Sequence, residues 1–258
     1  MAAAKILNKN NINFCIIDKA KFPRQKLCGG GLTNKSIKLL KKLDFSINNI
    51  SSKNTEIVEI VGKSIKKEIK LDNNIVMVDR IEFDNNNLKQ VANNTLFKNE
   101  FIIDISNNVL TTNENKYEFK YIIFADGVNG YSRKLIENRA FGFCVEYNSE
   151  KLTDKTILDF TSINRGYGWI FPKKDHTTIG LGNFNTKKED YIKLLVKFAE
   201  KYNFEIDKTK IKGYHIPLYS KDIYEKSVID NKIIVGDAAS LVDPISGEGI
   251  YYALASGM

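Results

Sequence analysis

The segment IIVGDAASLVDPISGEGI, which runs from Ile233 to Ile250, constrains the fold more than any other part of the sequence. It combines an apolar strand, a Gly-Asp turn, a run of small residues and a Gly-x-Gly that opens a helix. Asp237 is placed to bond a sugar-alcohol hydroxyl, and the small Ala238 and Ala239 let the backbone approach a ligand. A tight turn with a helix cap is the alternative, but it does not require so many small residues together. The segment therefore predicts a cofactor-binding loop.

Two glycines in this loop indicate which cofactor suits it. Gly247 and Gly249 free the backbone amides at the N-terminus of the next helix, which carries partial positive charge. Reduced flavin holds negative charge near N1 and its adjacent carbonyl, and a helix N-terminus aimed there stabilises that anion. A flavin is therefore a cofactor that fits the pattern.

Acids also close two earlier strands. Asp18 ends one apolar run, where an acid can accept both hydroxyls of an adenosine ribose. A helix cap or a surface position explains Asp18 equally well. Asp126-Gly127, followed by Arg133, ends a second run; glycine permits a tight turn, and the acid can hold the loop beside a cofactor. Asp-Gly is also the commonest turn dipeptide, so this signal is weak by itself.

The strand and helix patterns predict an α/β fold. Runs at 12–18, 121–125 and 232–235 have the composition of buried parallel strands. Residues 56–78 and 141–182 alternate as strands of an inserted antiparallel sheet, which we expect to cover a cofactor crevice. The three acids should then converge at one edge of a mostly parallel sheet. Helices are expected at Ala2–Asn10, from Thr33 onward, at Asp79–Asn94, at Lys187–Tyr202 and from Glu248 onward.

Composition excludes several classes of protein. Of the 258 residues, 43% are hydrophobic and 27% charged, which is ordinary for a globular protein, and no apolar run approaches the roughly 18 residues needed to cross a bilayer. The net charge of +8 comes from lysines scattered along the chain, without the basic stripe and interleaved aromatics of nucleic-acid-binding proteins. Three separated cysteines and two histidines argue against a disulfide framework and a metal site. We expect a cytoplasmic protein that binds neither nucleic acid nor metal.

The order of the three acidic segments resembles a known set of motifs. A ribose acid, an Asp-Gly motif and a Gly-Asp motif follow one another in the p-hydroxybenzoate-hydroxylase-like flavoproteins. Three further segments are similar to the geranylgeranyl reductase family within that superfamily: FPRQKLCGGGL at Phe22–Leu32, VDRIEFD at Val78–Asp84 and GYGWIFPK at Gly166–Lys173. The resemblance runs the length of the chain. It implies an FAD-binding Rossmann-like domain with an inserted β-sheet substrate domain.

The resemblance also implies roles for individual residues. Tyr167, Trp169 and Phe171 would line a prenyl-chain site; alternation agrees with this, since it places them on one face of a strand. We expect them to face a cavity that reaches Cys28, a further substrate-site residue, and the loop 243–248. An ordinary core strand is the alternative for the three aromatics, and a small buried apolar residue is the alternative for Cys28. The implied FAD-binding residues are Asp18, Arg24, Cys28, Gly29, Arg80, Asp126, Gly127, Gly236, Asp237, Pro244, Gly247, Gly249 and Ile250.

Two departures from the family pattern bear on flavin binding. Gly130 stands where the Asp-Gly motif usually has serine, which predicts the loss of a local contact. The sequence also lacks the GxGxxG turn whose amides cradle the pyrophosphate. We interpret the chain as a fragment without that first strand and turn and without the family's C-terminal region. As a fragment it is expected to bind FAD weakly, unless it pairs with a separately encoded N-terminal piece.

The resemblance implies hydride transfer from reduced FAD to C=C bonds of a prenyl lipid, with NAD(P)H or another reductant as electron donor. A flavin monooxygenase and a non-catalytic fragment are the alternatives. The sequence identifies no catalytic acid, and it leaves peripheral contact with a membrane open. The predicted division is FAD-binding segments at 1–55, 79–139 and 221–258, sheet strands at 56–78 and the inserted substrate domain at 140–220.

Overall fold

Six α-helices occur in the part of the chain that the structure describes. None of them is both long and apolar enough to span a membrane. The computed structural model describes residues 1–92, 96–136, 140–184 and 190–258. The helices are α1 (Ala2–Lys9), α2 (Asn34–Lys42), α3 (Arg80–Ala92), α4 (Tyr191–Lys201), α5 (Lys221–Glu225) and α6 (Ile250–Ser256).

The strands confirm the mixed α/β fold and fall into a few sheets. Most of them lie in the middle of the chain, where the sequence alternates. They are β1 (Cys15–Ile17), β2 (Gly31–Leu32), β3 (Ser52–Gly62), β4 (Ile65–Val78), β5 (Leu96–Lys98), β6 (Ile102–Ser106), β7 (Val109–Thr112), β8 (Lys116–Glu118), β9 (Ile122–Phe124), β10 (Phe141–Ser149), β11 (Thr156–Asp159), β12 (Gly166–Pro172), β13 (Thr177–Asn183), β14 (Lys212–Pro217), β15 (Val228–Ile229) and β16 (Lys232–Ile234).

The largest sheet has eight strands in the order β14-β10-β13-β12-β11-β3-β4-β2. Both alternating regions of the sequence therefore contribute to one sheet. The expected antiparallel arrangement holds for every neighbouring pair except β11 and β3, which are parallel, with Thr156 opposite Val58. One face of this sheet packs against α4, where Leu195 and Phe198 join the buried side chains of the strands. The opposite face is left to the loops that carry the predicted cofactor motifs.

The parallel strands form two pairs rather than the single sheet that we expected. β1 pairs with β5, and β9 pairs with β16, with Ile234 opposite Phe124. β1 is also shorter and more exposed than a buried strand: Ile12 lies outside it and Cys15 is exposed, because β1 has a partner on one side only within the described residues. Tyr121, predicted to begin a buried strand, precedes β9 and is exposed.

The predicted helices are confirmed where the structure describes them. Thr33 caps α2, with its hydroxyl accepting a hydrogen bond from the amide of Ser36. Asp190 caps α4 in the same way through the amide of Lys193. The predicted end of the third helix at Asn94 and the predicted start of the fourth at 187 lie outside the described residues.

Candidate functional site

Two of the predicted acids follow neighbouring parallel strands. Asp126 comes after β9 and Asp237 after β16, and the amide of Val235 donates to the carbonyl of Phe124 at 2.9 Å. The carboxyl ends of parallel strands meet at one edge of a sheet, so the two acidic turns lie side by side. The glycines with positive φ are Gly30, Gly127, Gly236 and Gly247, and each lies in one of the predicted motif loops.

The carboxylate of Asp126 closes its own loop. It accepts hydrogen bonds from the amide of Ser132 at 2.8 Å and from its hydroxyl at 2.7 Å. Ser132, two residues after Gly130, therefore holds the Asp126 carboxylate within its loop. A Cβ added at Gly130 would overlap the Asp126 carboxyl, so a larger residue at that position would displace the carboxyl.

The loop between β1 and β2 connects the third acid to the other two. Arg24 Nε lies 3.9 Å from Oδ2 of Asp18, and Lys26 Nζ lies 3.4 Å from Oδ2 of Asp237. Asp18 thus follows a strand of a separate sheet, yet its loop reaches the Gly-Asp turn. The side chains of Asp18 and Asp237 remain 31% and 23% exposed.

The two arginines of the family motifs share one carboxylate. Arg80 binds Asp84 through two hydrogen bonds of 2.9 Å, and Arg24 Nη1 lies 3.1 Å from Oδ2 of Asp84. Burial alone would lower the pKa of Arg80, but Asp84 and the neighbouring Cys28 raise it, so the guanidinium stays charged. This ion cluster anchors the Pro-Arg loop to the start of α3.

Three aromatic rings of β12 form a row on one face of the large sheet. The ring centroids of Tyr167 and Trp169 are 5.8 Å apart, and those of Trp169 and Phe171 are 6.2 Å apart. The residues between them point to the other face, where Gly168 contacts the ring of Phe198 on α4. The alternation predicted from sequence is therefore present. We call Tyr167, Trp169 and Phe171 the aromatic row.

Each end of the aromatic row contacts one of the predicted loops. A Cβ added at Gly29 would overlap the Phe171 ring, which shows that the ring lies directly against the backbone beside Cys28. At the other end, the Tyr167 hydroxyl donates to the carbonyl of Ser246. Asp243 closes this second loop by accepting the amide of Ser246 at 2.7 Å. Pro244 is exposed at its tip, and Gly247, Gly249 and Ile250 lead from it into α6.

A cavity of about 450 Å³ lies next to Cys28, and the aromatic row is not part of its lining. Its ionisable lining residues include Arg80, Glu146, Lys173, His176 and Lys212. Phe171 lies against the backbone of Gly29, and Tyr167 contacts the loop at Ser246. That the three rings face a cavity which reaches Cys28 and the loop 243–248 stays a prediction.

Comparison with known proteins identifies the family. An uncharacterised protein of Methanosarcina barkeri is 33% identical over 277 residues, covering 99% of this chain and 69% of that protein. A digeranylgeranylglycerophospholipid reductase of Methanococcus aeolicus is 32% identical over 54% of this chain. A geranylgeranyl diphosphate reductase of Nicotiana tabacum is 29% identical over 54% of this chain. The chain belongs to the geranylgeranyl reductase family. Its members are FAD-dependent oxidoreductases.

The chain spans less than half of the length of these two named reductases, and solved structures share its fold. The matches span 39% of the Methanococcus reductase and 32% of the Nicotiana reductase, and no family model matches the chain. A geranylgeranyl bacteriochlorophyll reductase-like protein from Thermoplasma acidophilum superposes with a TM-score of 0.79 at 21% identity, over 100% of this chain and 72% of that chain. A flavin-dependent brominase gives 0.79 at 16% identity, over 99% of this chain and 73% of that one. These likenesses show the fold.

Sequence reasoning missed one residue of the Gly-x-Gly motif itself. Glu248 accepts a hydrogen bond from the hydroxyl of Thr33 and another from Ser36 at 3.2 Å, and it lies 2.8 Å from Lys35 Nζ. It thereby ties the cofactor loop to the N-terminus of α2. The signal in the sequence was an acid between two glycines; its partners, 212 and 215 residues away, could not be inferred from it.

Replacing Glu248 by alanine should lower the free energy of unfolding by about 2 kcal/mol, because two hydroxyls and an ammonium group lose their acceptor. Urea denaturation monitored by circular dichroism measures the change. Glu225→Ala is the matched control, since Glu225 is exposed and forms a 3.6 Å pair with Lys221; its loss should stay below about 0.5 kcal/mol. Equal losses in the two variants would show that Glu248 does not anchor the loop.

Two ionisable residues beside Cys28 were also missed. Glu146 is buried in β10, and burial raises its pKa to about 7, although Lys173 and the amide of Cys28 oppose the shift. Burial lowers the pKa of Lys173 to about 8. The ammonium group of Lys173 donates to the carbonyls of Gly29 and, at 3.0 Å, Val78. Alternation in β10 places Glu146 on one face, but the sequence does not reveal that the loop of Cys28 covers that face.

Proposed function

We propose that this protein reduces C=C bonds of a prenyl lipid with hydride from reduced FAD. The aromatic row carries the proposal. Three adjacent rings give an isoprenoid chain an extended apolar surface, and the row runs from Gly29, beside Cys28, to the loop at Ser246. Named relatives are reductases of digeranylgeranylglycerophospholipid and of geranylgeranyl diphosphate, which both carry such chains.

The residues at the strand ends fit the sugar-alcohol parts of FAD. Asp18 and Asp237 each present a partly exposed carboxylate at the carboxyl end of a parallel strand, and a carboxylate accepts hydrogen bonds from hydroxyls. We assign Asp18 to the ribose and Asp237 to the ribityl chain. FAD, when bound, supplies the hydride chemistry. The protein binds it, orients it and excludes water.

The remaining motif residues support the same cofactor in this proposal. Arg24 and Arg80 hold the Pro-Arg loop through Asp84, and the Asp126 turn stands beside the Gly236 turn. We assign these segments to FAD, with Cys28 at the junction of cofactor and substrate. In this assignment the segments 1–55, 79–139 and 221–258 bind the cofactor, 56–78 supplies sheet strands and 140–220 forms the substrate domain. The further FAD-binding residues are Gly29, Gly127, Pro244, Gly247, Gly249 and Ile250.

The electron donor and the location of the substrate follow from the same proposal. Reduced flavin must be regenerated by a reductant such as NAD(P)H. A prenyl lipid resides in a membrane, so the protein would act there as a peripheral protein.

Replacing Phe171 by leucine should raise the KM for a prenyl lipid about tenfold, because the loss of one ring contact of about 1.4 kcal/mol corresponds to that factor. Turnover is measured anaerobically with dithionite-reduced FAD and a geranylgeranyl lipid, and mass spectrometry counts the two hydrogens added at each reduced bond. Ile170→Leu is the control, since Ile170 is the neighbouring residue on the opposite, α4-facing side.

The two variants and the reaction products decide the proposal. A tenfold effect confined to Phe171→Leu supports an aromatic substrate surface. Equal effects of the two substitutions contradict it. A product that gains oxygen in air, without anaerobic reduction of the prenyl chain, would instead identify a flavin monooxygenase.

A further inference from the structure

Glu146 and Trp169 lie in one line across the large sheet. Gly180 of β13 is directly opposite Glu146 on β10 and directly opposite Trp169 on β12. Directly opposite residues of antiparallel strands project from the same face. The Glu146 carboxyl and the Trp169 indole therefore stand on the same face, with one glycine between them.

The indole extends over that glycine. A Cβ added at Gly180 would overlap Cζ2 of Trp169 and would lie 2.8 Å from its Nε1. Trp169 is only 5% exposed, and its Nε1 has no hydrogen-bond partner among the described residues. A buried N–H without an acceptor is costly. It is a donor available to a water or a ligand at this place.

The carboxyl of Glu146 is equally unusual for a buried acid. It is not within ion-pair distance of a basic group in the described part of the chain, since Lys173 is directed to two backbone carbonyls. Its oxygens accept hydrogen bonds from the amide of Cys28 and, at a long 3.5 Å, from the Tyr214 hydroxyl. Burial disfavours the ionised form of a carboxyl. With so few donors to offset that effect, Glu146 keeps its proton to a higher pH than an exposed carboxyl does.

The cavity beside Cys28 gives Glu146 access to solvent. Glu146 lines it, while Trp169 belongs to the aromatic row on the same sheet face. The titratable groups that act most directly on Glu146 are Lys173, which follows β12, Lys212 and Tyr214 of β14, and Cys144 of its own strand. The other ionisable residues that line the cavity are Lys26, Cys28, Asp79, Arg80, Tyr147, His176 and Lys210.

We propose that Glu146 is the acid that protonates the alkene carbon during prenyl reduction. This proposal rests on the proposed function. One alkene carbon gains the hydride, which reduced FAD supplies. The π electron pair forms a C–H bond at the neighbouring carbon with the proton of Glu146. FAD, when bound in its reduced form, would supply the electron pair; the alkene would be reduced, and the Glu146 carboxylate would regain its proton from solvent through the cavity.

The role predicts a specific loss of turnover. Glu146→Gln should lower kcat at least a hundredfold while KM stays within threefold, because general acid catalysis contributes about 10²–10⁴. Glu146→Asp should retain part of the rate. In the unsubstituted protein, kcat should fall as pH rises above about 7, since the acid form is then lost. Glu59→Gln is the control for a buried strand carboxyl elsewhere, one that lies 3.3 Å from Lys66.

A second measurement tests the acid without turnover. Infrared difference spectroscopy of the flavin-free protein should show a protonated carboxyl that titrates near pH 7, is absent from Glu146→Gln and persists in Glu59→Gln. Circular dichroism verifies that each variant is folded. If Glu146→Gln does not fold, the rate and pH profile of Glu146→Asp test the acid role instead. Retention of the full rate and pH profile in folded Glu146→Gln, or no such carboxyl band, overturns the acid role. A protein that folds and shows the band but reduces no prenyl lipid overturns the proposed function, and with it this role.

Discussion

Replacing Gly180 by alanine is expected to lower the free energy of unfolding by about 3 kcal/mol. The added methyl group would overlap the Trp169 indole. The indole has little room to move, because it is flanked by Tyr167 and Phe171 within the aromatic row. Urea denaturation at neutral pH measures the loss, and tryptophan fluorescence reports the displaced ring directly, since Trp169 is the only tryptophan in the sequence.

A double-substitution cycle tests the cause of this loss. In a Trp169→Leu background the smaller side chain leaves space, so Gly180→Ala should then cost less than about 1 kcal/mol. The difference between the two backgrounds is the interaction energy of the alanine with the indole. An equal cost in both backgrounds would show that the strain comes from the backbone and not from the ring.

Replacing Asp159 by alanine is the second change with a large expected effect. It should lower the free energy of unfolding by about 3 kcal/mol. The side chain is fully buried at the end of β11, and its carboxylate accepts from Lys201 at 2.6 Å, from Tyr202 at 2.8 Å and from the amide of Thr161 at 2.8 Å. Alanine leaves these donors without an acceptor inside the packing of α4 against the sheet. Asp154→Ala is the control, since Asp154 is almost fully exposed and should change stability by less than about 0.5 kcal/mol.

The effect of Asp159→Ala on stability should depend on pH in a direction that follows from the pKa of the carboxyl. Burial alone would raise the pKa of Asp159, but the hydrogen bonds from Lys201, Thr161 and Tyr202 outweigh it and lower the pKa to about 2. The native state therefore favours the ionised form, so its stabilising contribution is present above the ordinary value of 3.8 and is lost as pH falls toward 2. The difference in the free energy of unfolding between the unsubstituted protein and Asp159→Ala should be smaller near pH 2.5 than at pH 7. A constant difference would contradict an ionic origin.

The sequence by itself determined the local features of this protein. The Gly-Asp segment predicted a strand followed by a turn and a helix, and Thr33 predicted the start of α2, because capping and turn formation depend on a few consecutive residues. Alternation alone placed Tyr167, Trp169 and Phe171 on one face of β12, since successive side chains of a strand point to opposite sides. Motif order indicated the geranylgeranyl reductase family.

Only the tertiary structure decided which of these features meet. The parallel strands form two pairs, β11 joins β3 in parallel, and Glu248 reaches Thr33 across 215 residues. The line from Glu146 through Gly180 to Trp169 depends on the register of three strands. Periodicity fixes the face on which a side chain lies, but strand order and register depend on packing between distant segments. For that reason the sequence predicted the aromatic row and missed the acid beside it.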